Sequence, residues 1–477
     1  MSKENKYFQS ILKREGKDSV IFTLATFIPL LASFLLMPLM WQKLTPQDYG
    51  VIAVIEMIGV FVVIFLGLNL DQSITRFYYE WDEEVRKEKI GALWVLSWLE
   101  IIVVGSCLLL FIPDISHYVF LDIDKDLIFL GLVAVVLQQL VLTPFALIRI
   151  KRLPVFYSTL NLFRAFMQIG MSIYFVVILD EGIRGYLVAN VYSALIVALC
   201  LIPVMFKYSK ANISFLSLKD ELRFSLPLIP TTIISAFTSV IDRYFLQHFA
   251  SIESLGIYSQ AMKFAGIVSS LHSALKMSYV PFLVKNIDDK TVLNLVVNYY
   301  FATLLLVGFA ISIFVDEFVI LINNPLYFDV IKYVPFLVVA QLVSSVGVYY
   351  SPGIFLSKRT ELNIVLQSIN FIVILIPGYF LISLMHGDGI IILNLLSSVV
   401  GLIALFLISK RVYTMNIQYS VLASMFGSYI VLVMVAFIEI ENIWYSILSG
   451  FVLLILFAAI LLYRLDIKFG YINRLRS

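Results

Sequence analysis

Charge is scarce in this chain. Only 14% of its 477 residues are Asp, Glu, Lys or Arg, 61% are hydrophobic, and mean hydropathy is +0.96. Soluble domains are near half apolar and a quarter charged. The composition therefore excludes both a soluble globular protein and a soluble domain on a single anchor. Cysteine is almost absent. Cys107 and Cys200 both fall in apolar runs, which excludes a disulfide framework and reads as two small core residues. The four histidines, His117, His248, His272 and His386, are scattered. No metal-ligand spacing, phosphate-binding loop or nucleophile motif occurs, so no catalytic set, no metal and no bound cofactor is expected. Long polar segments are missing beyond the N-terminus, which leaves no room for an external domain. Lys and Arg are spread over many short loops, a pattern that does not suggest nucleic acid. The N-terminal MSKENKYFQSILKREGKDS leads into a long apolar run without a cleavage pattern, so no removable signal peptide is expected.

What the chain has instead is apolar runs of about twenty residues, the length that crosses a bilayer as a helix. They fall near 19–41, 50–72, 90–112, 127–149, 154–179, 185–206, 222–246, 256–280, 293–315, 331–354, 362–384, 388–409, 419–438 and 443–464. They are continuously apolar rather than alternating, which favours helices over a barrel. The fold class read from this is an all-α integral membrane protein with about fourteen transmembrane helices. Basic residues test the count independently. Of the 34 Lys and Arg, twenty-six fall on one side if the runs alternate, and only Lys43, Lys125, Arg184 and Lys332 fall on the other. The richer side reads as cytoplasmic and both termini as cytoplasmic. The remaining four basic residues, Arg164, Arg243, Lys263 and Lys276, lie inside the runs.

The chain also reads as built twice. LTPQDYG at Leu44–Gly50 separates the first and second runs, and ASIESLGIY at Ala250–Tyr258 separates the seventh and eighth; Gly50 and Gly256 are 206 residues apart. Six runs per copy is an even number, so both copies point the same way, related by an axis along the membrane normal, with a substrate site between them. The expected division is 1–212 and 213–412 for two pseudo-symmetric six-helix lobes, with two added helices and a short cytoplasmic tail in 413–477.

The four buried cations carry the functional reading. A charge at the centre of a membrane helix costs roughly 2.5–3.5 kcal/mol on insertion scales, so these side chains should face a wet cavity, an acidic partner or an anionic ligand. Arg164 sits about ten residues into the fifth run, near mid-depth; it either lines a cavity or pairs with Glu100 at similar depth in the third. Lys263 and Lys276 are thirteen residues apart in the eighth run and point to nearly opposite faces. His272 shares a face with Lys276 and reads either as a hydrogen-bonded core residue or as a proton relay. Glu56, in the second run, aligns under the 206-residue offset with Met262, next to Lys263. An ion-pair gate, a site for a coupling cation and a purely structural pair are all open for it. Asp242 and Arg243 near one end of the seventh run read as an outer gate or an interfacial pair, and Asp71 and Arg76 as a cytoplasmic gate or a simple helix end. SLPLIP brings Pro227 and Pro230 into the seventh run as a kink.

At this point the residues resemble a known family. GLNLDQSITRFYYE at Gly67–Glu80, LTPQDYGVIAV at Leu44–Val54, RFSLPLIP at Arg223–Pro230, DRYFL at Asp242–Leu246 and LGIYSQAMKFA at Leu255–Ala265 are similar to stretches of the O-antigen and polysaccharide-unit flippases. These belong to the multidrug/oligosaccharidyl-lipid/polysaccharide exporter superfamily. The resemblance spans the chain and implies two six-helix lobes around a central cavity lined by spans one, two, seven and eight. It implies a bacterial inner-membrane flippase for undecaprenyl-pyrophosphate-linked sugar units, not an enzyme. A polysaccharide polymerase would be a candidate partner, and a H+ or Na+ gradient a candidate energy source. Arg243, Lys263 and Asp242 match the family's charged positions by span; Arg164 and Lys276 are added from the residues alone. Two rival readings remain: a multidrug or cation antiporter of the same superfamily, and an integral-membrane polysaccharide-modifying enzyme.

Overall fold

The computed structural model describes residues 27–66, 69–119, 123–151, 153–210, 218–285, 290–350, 361–410, 419–436 and 443–476. Among the described residues helices dominate and no strand occurs. The first unit by contact density is Met1–Gly256 and the second Ile257–Ser477. The first holds α1 (Phe27–Trp41), α2 (Pro46–Leu66), α3 (Leu70–Phe77), α4 (Glu83–Val119), α5 (Lys125–Ile150), α6 (Pro154–Ser172), α7 (Gly182–Tyr208), α8 (Lys219–Ser225) and α9 (Ile229–Phe249). A π-helical turn, Ile173–Ile178, prolongs α6. The helix α10 (Ile252–Lys285) opens at the end of the first unit, and the second continues with α11 (Lys290–Ile322), α12 (Asp329–Ser345), α13 (Glu361–Ser409), α14 (Tyr419–Ala436) and α15 (Ile443–Arg476).

Nine of the described helical stretches are long and apolar enough to cross a membrane. One of them, α13, is broken at His386 (φ 51°, ψ −120°) into two helices on the two expected runs. Together with the shorter apolar α1 and α14, and with α2 and α10, helices occupy all fourteen expected runs. The protein is an all-α, multi-pass membrane protein. The pairing of surface charges agrees with the sidedness read from the sequence. Lys43 Nζ meets Asp180 Oδ1 at 2.9 Å, and Lys332 pairs with Asp388; all four residues lie in segments assigned to the poorer side. Lys89 and Glu221, which pair at 2.5 Å, both lie on the richer side. An error of one helix in the count would have brought together segments assigned to opposite faces.

Two expectations need correction. The second run was expected to continue to about residue 72, but α2 stops at Leu66 and a separate eight-residue helix, α3, begins at Leu70. Asn69 stands between them in the left-handed region, φ 51° and ψ 37°. The apolar run hid the break because GLNL is as hydrophobic as a helix interior. Cys107 and Cys200 are free but exposed rather than in the core. In a membrane helix the lipid-facing side is as apolar as the packed side, so an apolar run does not say which way a residue points.

The repeat is present in local chemistry. Thr45 and Asp48 cap α2 reciprocally: the Asp48 N–H donates to Thr45 Oγ1 at 3.2 Å and the Thr45 N–H donates to Asp48 Oδ2 at 2.8 Å. At the positions 206 residues on, the Ser254 N–H donates to Ser251 Oγ at 3.0 Å at the start of α10. The glycines that follow each cap meet. A Cβ on Gly50 would lie 1.9 Å from the Ile252 carbonyl oxygen, and one on Gly256 would lie 1.8 Å from that of Pro46. Residues 46 and 252 are themselves 206 apart, so this is a self-complementary contact of the kind a two-fold axis makes. The offset also holds at the far end of each copy. Asp180 and His386 are 206 apart and both have positive φ, 56° and 51°.

At the end of the bundle assigned to the cytoplasm, α3, α4, α5, α7 and the start of α8 share a core that includes Ile74, Trp81, Leu93, Leu147 and Met205. Glu221 of α8 is 1% exposed within it. Its Oε1 accepts from Trp81 Nε1 at 3.0 Å and from Lys89 Nζ at 2.5 Å, and its carbonyl accepts from Ser73 Oγ at 2.9 Å. These bonds fix the segment leading into α9 onto the first six-helix bundle. Removing one partner of a buried pair strands the other charge, at about 3–5 kcal/mol. Glu221→Ala is therefore expected to lower the thermal midpoint in detergent by about 5 °C or more. A midpoint within a degree of the parent would show that the pair contributes little.

Candidate functional site

Polar residues on two adjacent helices of the first unit face one cavity. On α5 these are Gln138 and Arg149, in a stripe with Leu142 and Phe145; on α6 they are Tyr157, Asn161 and Arg164, spaced i, i+4, i+7. Only Leu153 and its neighbours separate the two helices, so they run as neighbours and their stripes converge. Pro154 at the start of α6 sets the helix in register, since proline suits the first helical position. Asp71 of α3 closes the wall, and the space is about 190 Å³. At about 30 Å³ per water, that is room for several waters or a hydrated anion.

The charges in this cavity do not cancel by contact. Among the described residues neither Arg164 nor Arg149 makes a salt bridge, and Asp71 lies in the same wall without forming one to either. Arg164 thus lines a cavity and is not paired with Glu100. Two guanidiniums, one carboxylate and neutral hydrogen-bonding groups give the space a net positive lining. Guanidinium is planar, always charged and suited to oxyanions. Arg149 was read from the sequence only as one of the cytoplasmic-side basic residues, LIRIKR, at the edge of an apolar run. Its position eleven residues after Gln138, on the same face, was the available signal.

The other candidates fall elsewhere. Glu100 lines a second, smaller cavity together with Asp71. Arg76 pairs with Glu80 one turn on, rather than with Asp71. Arg243 Nη1 lies 3.9 Å from Glu56 Oε2, so the second and seventh spans are bridged by charge, although Glu56 stays well exposed. Asp242 Oδ1 accepts the Arg243 backbone N–H at 2.8 Å. In the second unit, Lys263 donates to Gln260 at 3.1 Å and Lys276 is exposed on α10. His272 Nδ1 lies 2.9 Å from the Tyr300 hydroxyl, which also bonds the His272 carbonyl at 2.8 Å. His272 is thus half-buried and hydrogen-bonded to Tyr300. Among the described residues no group of three His, Cys, Asp or Glu could hold a metal ion.

The architecture is shared with solved transporters. A structure described as lipid II flippase MurJ in an inward closed conformation superposes with a TM-score of 0.68 at 15% identity, covering 92% of this chain and 98% of that one. A Vibrio cholerae MATE transporter, VcmN, gives 0.57 at 12% identity over 84% of this chain and 97% of that one. At such identities the likeness establishes the shared fold alone. In sequence, two Haemophilus influenzae proteins are similar. One is described as an uncharacterized membrane protein, 24% identical over 286 residues, or 58% of this chain and 67% of that one. The other is described as Lsg locus putative protein 1, 22% identical over 288 residues, or 57% of this chain and 67% of that one.

The fold defines a multi-pass, all-α membrane protein. The profile of the polysaccharide biosynthesis protein family matches residues 16–287, more than half of the chain, and the protein belongs to that family.

Proposed function

We propose that the protein is a flippase that carries an undecaprenyl-pyrophosphate-linked oligosaccharide, an O-antigen or other surface polysaccharide unit, from the cytoplasmic to the outer leaflet of a bacterial inner membrane. The observation that carries this reading is the pair Arg149 and Arg164 facing one 190 Å³ cavity without a salt bridge among the described residues. A pyrophosphate is a dense anion that loses its hydration on entering the membrane, and guanidiniums in a wet cleft replace that hydration. Arg149 lies at the end of α5 assigned to the cytoplasm, where such a head group arrives. The lipid tail stays in the bilayer while rocking of the two halves carries the head across. The excess of basic residues on one side supports cytoplasmic termini. A polymerase that uses the delivered unit on the outer face is the natural partner.

A cation antiporter of the same superfamily would present carboxylates rather than guanidiniums to its cargo, and the arginine cavity weighs against it. In-vitro turnover without any translocation would favour the third reading, a polysaccharide-modifying enzyme.

The test is reconstitution. In proteoliposomes carrying a fluorescent polyprenyl-pyrophosphate oligosaccharide, the protein should make the inner-leaflet pool accessible to an external quencher, well above protein-free vesicles. Equal accessibility with and without the protein, together with export of organic cations by the same vesicles, would overturn the assignment in favour of the antiporter.

A further inference from the structure

The seam between α4 and α7, at the end assigned to the cytoplasm, carries a surface that the arginine cavity does not use. On α4, Lys87, Trp94 and Trp98 are spaced i, i+7, i+11, which puts them in one stripe along the helix. At 1.5 Å per residue the two indoles follow the lysine at about 10 and about 16 Å. On α7, Leu199 and Phe206 share a stripe seven residues apart; both are exposed, Phe206 at 69%. The rings of Trp94 and Phe206 meet edge to face with centroids 5.6 Å apart, so the two stripes lie side by side. Just past the end of α7, the Lys210 N–H donates to the Lys87 carbonyl at 3.0 Å. A Cβ on Gly91 would lie 2.4 Å from the Lys210 carbonyl oxygen, so the backbone at Lys210 is pressed onto the start of α4.

Positive charge is gathered at this rim. Lys151 Nζ lies 3.7 Å from the centroid of the Tyr208 ring and Lys207 Nζ lies 5.6 Å from it, two cations on one ring. Burial pushes the Lys151 ammonium below the ordinary lysine range; Tyr208 opposes that shift, Arg86 and Lys87 add to it, and Glu83 offsets a part. Among the described residues Lys151, Lys207 and Lys210 make no salt bridge, and Lys87 meets Glu83 one turn back at 3.8 Å on an exposed surface. An exposed pair of that kind contributes little. Crowding such cations is unfavourable until an anion joins them. None of them lines the arginine cavity.

We propose that this seam seats an anionic phospholipid of the cytoplasmic leaflet, its phosphate among Lys87, Lys207 and Lys210 and an acyl chain along Trp94, Trp98 and Phe206. Charge at the rim, indoles at the interface and hydrocarbon beneath match such a lipid along its own length. The apolar stripe begins where the lysines end and continues to membrane depth, which a soluble acidic protein does not reach. Lysines offer point charges on flexible stems, suited to a mobile phosphodiester, whereas the forked guanidiniums of Arg149 and Arg164 are set in the cavity. A seated lipid bridges α4 and α7 beside the contact of Lys210 with Lys87. The site stands whether or not the protein is a flippase.

The experiment uses the purified, delipidated full-length protein in detergent. Phosphatidylglycerol should bind saturably, stay on the protein as an adduct in native mass spectra and raise the thermal midpoint; phosphatidylethanolamine with the same chains should do none of these at equal concentration. Lys87→Gln, Lys207→Gln and Lys210→Gln should each weaken binding roughly fivefold, and the triple variant roughly a hundredfold. Phe206→Ser keeps every charge and should weaken it severalfold. Lys219→Gln, at an exposed lysine on α8 outside the seam, should leave it unchanged. Glycerophosphoglycerol, the same head group without chains, should not compete at equal concentration. An equal midpoint rise with phosphatidylethanolamine, unchanged binding in the triple variant, an equal loss in Lys219→Gln, or tighter binding of poly-glutamate than of the lipid would each overturn the site. A polyprenyl pyrophosphate that displaces phosphatidylglycerol, and whose binding is lost in Lys207→Gln but kept in Arg164→Ala, would overturn it too, by giving the seam to the cargo.

Discussion

Arg164→Ala is expected to cut transport of the lipid-linked unit about ten- to a hundredfold at matched protein in the membrane. The magnitude follows from losing one charge-assisted bond to phosphate, worth about 1.5–3 kcal/mol, at 1.4 kcal/mol per factor of ten. Arg164→Lys should recover part of the loss, because lysine keeps the charge but not the two-pronged geometry. Arg164→Glu should lose more than alanine does. Arg149→Ala should resemble Arg164→Ala. The double variant should lose less than the product of the single effects, because both groups act on one anion. Radiolabelled or fluorescent substrate in proteoliposomes reads all five variants, and membrane content is fixed by immunoblot. Full transport by Arg164→Ala at matched content would remove the cavity from the route.

The second large effect concerns backbone contact. Gly256→Leu places a side chain where a Cβ would already lie 1.8 Å from the Pro46 carbonyl oxygen. Real Cβ contacts of this kind do not fall below 3.0 Å, so the starts of α2 and α10 must separate by more than an ångström. The helices are stiff, and the displacement passes along them. The expected result is transport reduced at least tenfold, roughly 1.4 kcal/mol or more in the barrier. It should come with a longer distance between spin labels on Gln47→Cys and Glu253→Cys, made after replacing Cys107 and Cys200. Gly50→Leu should do the same, because its clash with the Ile252 carbonyl is the mirror image of this one. An unchanged label distance with normal transport would show that the two backbones do not need this approach.

Much of the fold was legible in the sequence because membrane helices announce themselves by length and apolarity. Fourteen runs became fourteen helical segments, and the charge asymmetry guarded the count. The repeat was legible at LTPQDYG and ASIESLG because caps and close-approach glycines are local signals with fixed spacing. What failed was the direction of side chains. Cys107 and Cys200 gave no clue to their outward position, since lipid does not distinguish an inner face from an outer one by polarity. The break after Leu66 went unseen because the sequence around Asn69 is apolar and no proline marks it. In the site, Arg164 stood out as a lone charge at depth. Arg149 did not, because an arginine at the end of a run looks like any interfacial anchor; only its alignment with Gln138 along one face gives it away. The pairing of Arg76 with Glu80 instead of Asp71 follows from helix geometry, since four residues return to the same face and five do not.

From Gly50 to Asp180 there are as many residues as from Gly256 to His386. From α2 to the end of the turn after α6, and from α10 to the break in α13, the two copies have the same length to the residue. A single deletion in either would rotate all that follows by about 100° and throw its left-handed turn out of place. The chemistry has not been held to the same rule. At the positions matching Asp71, Glu100 and Arg164, the second copy has Met277, Leu306 and Asn370. A scaffold duplicated in measure has become lopsided in charge.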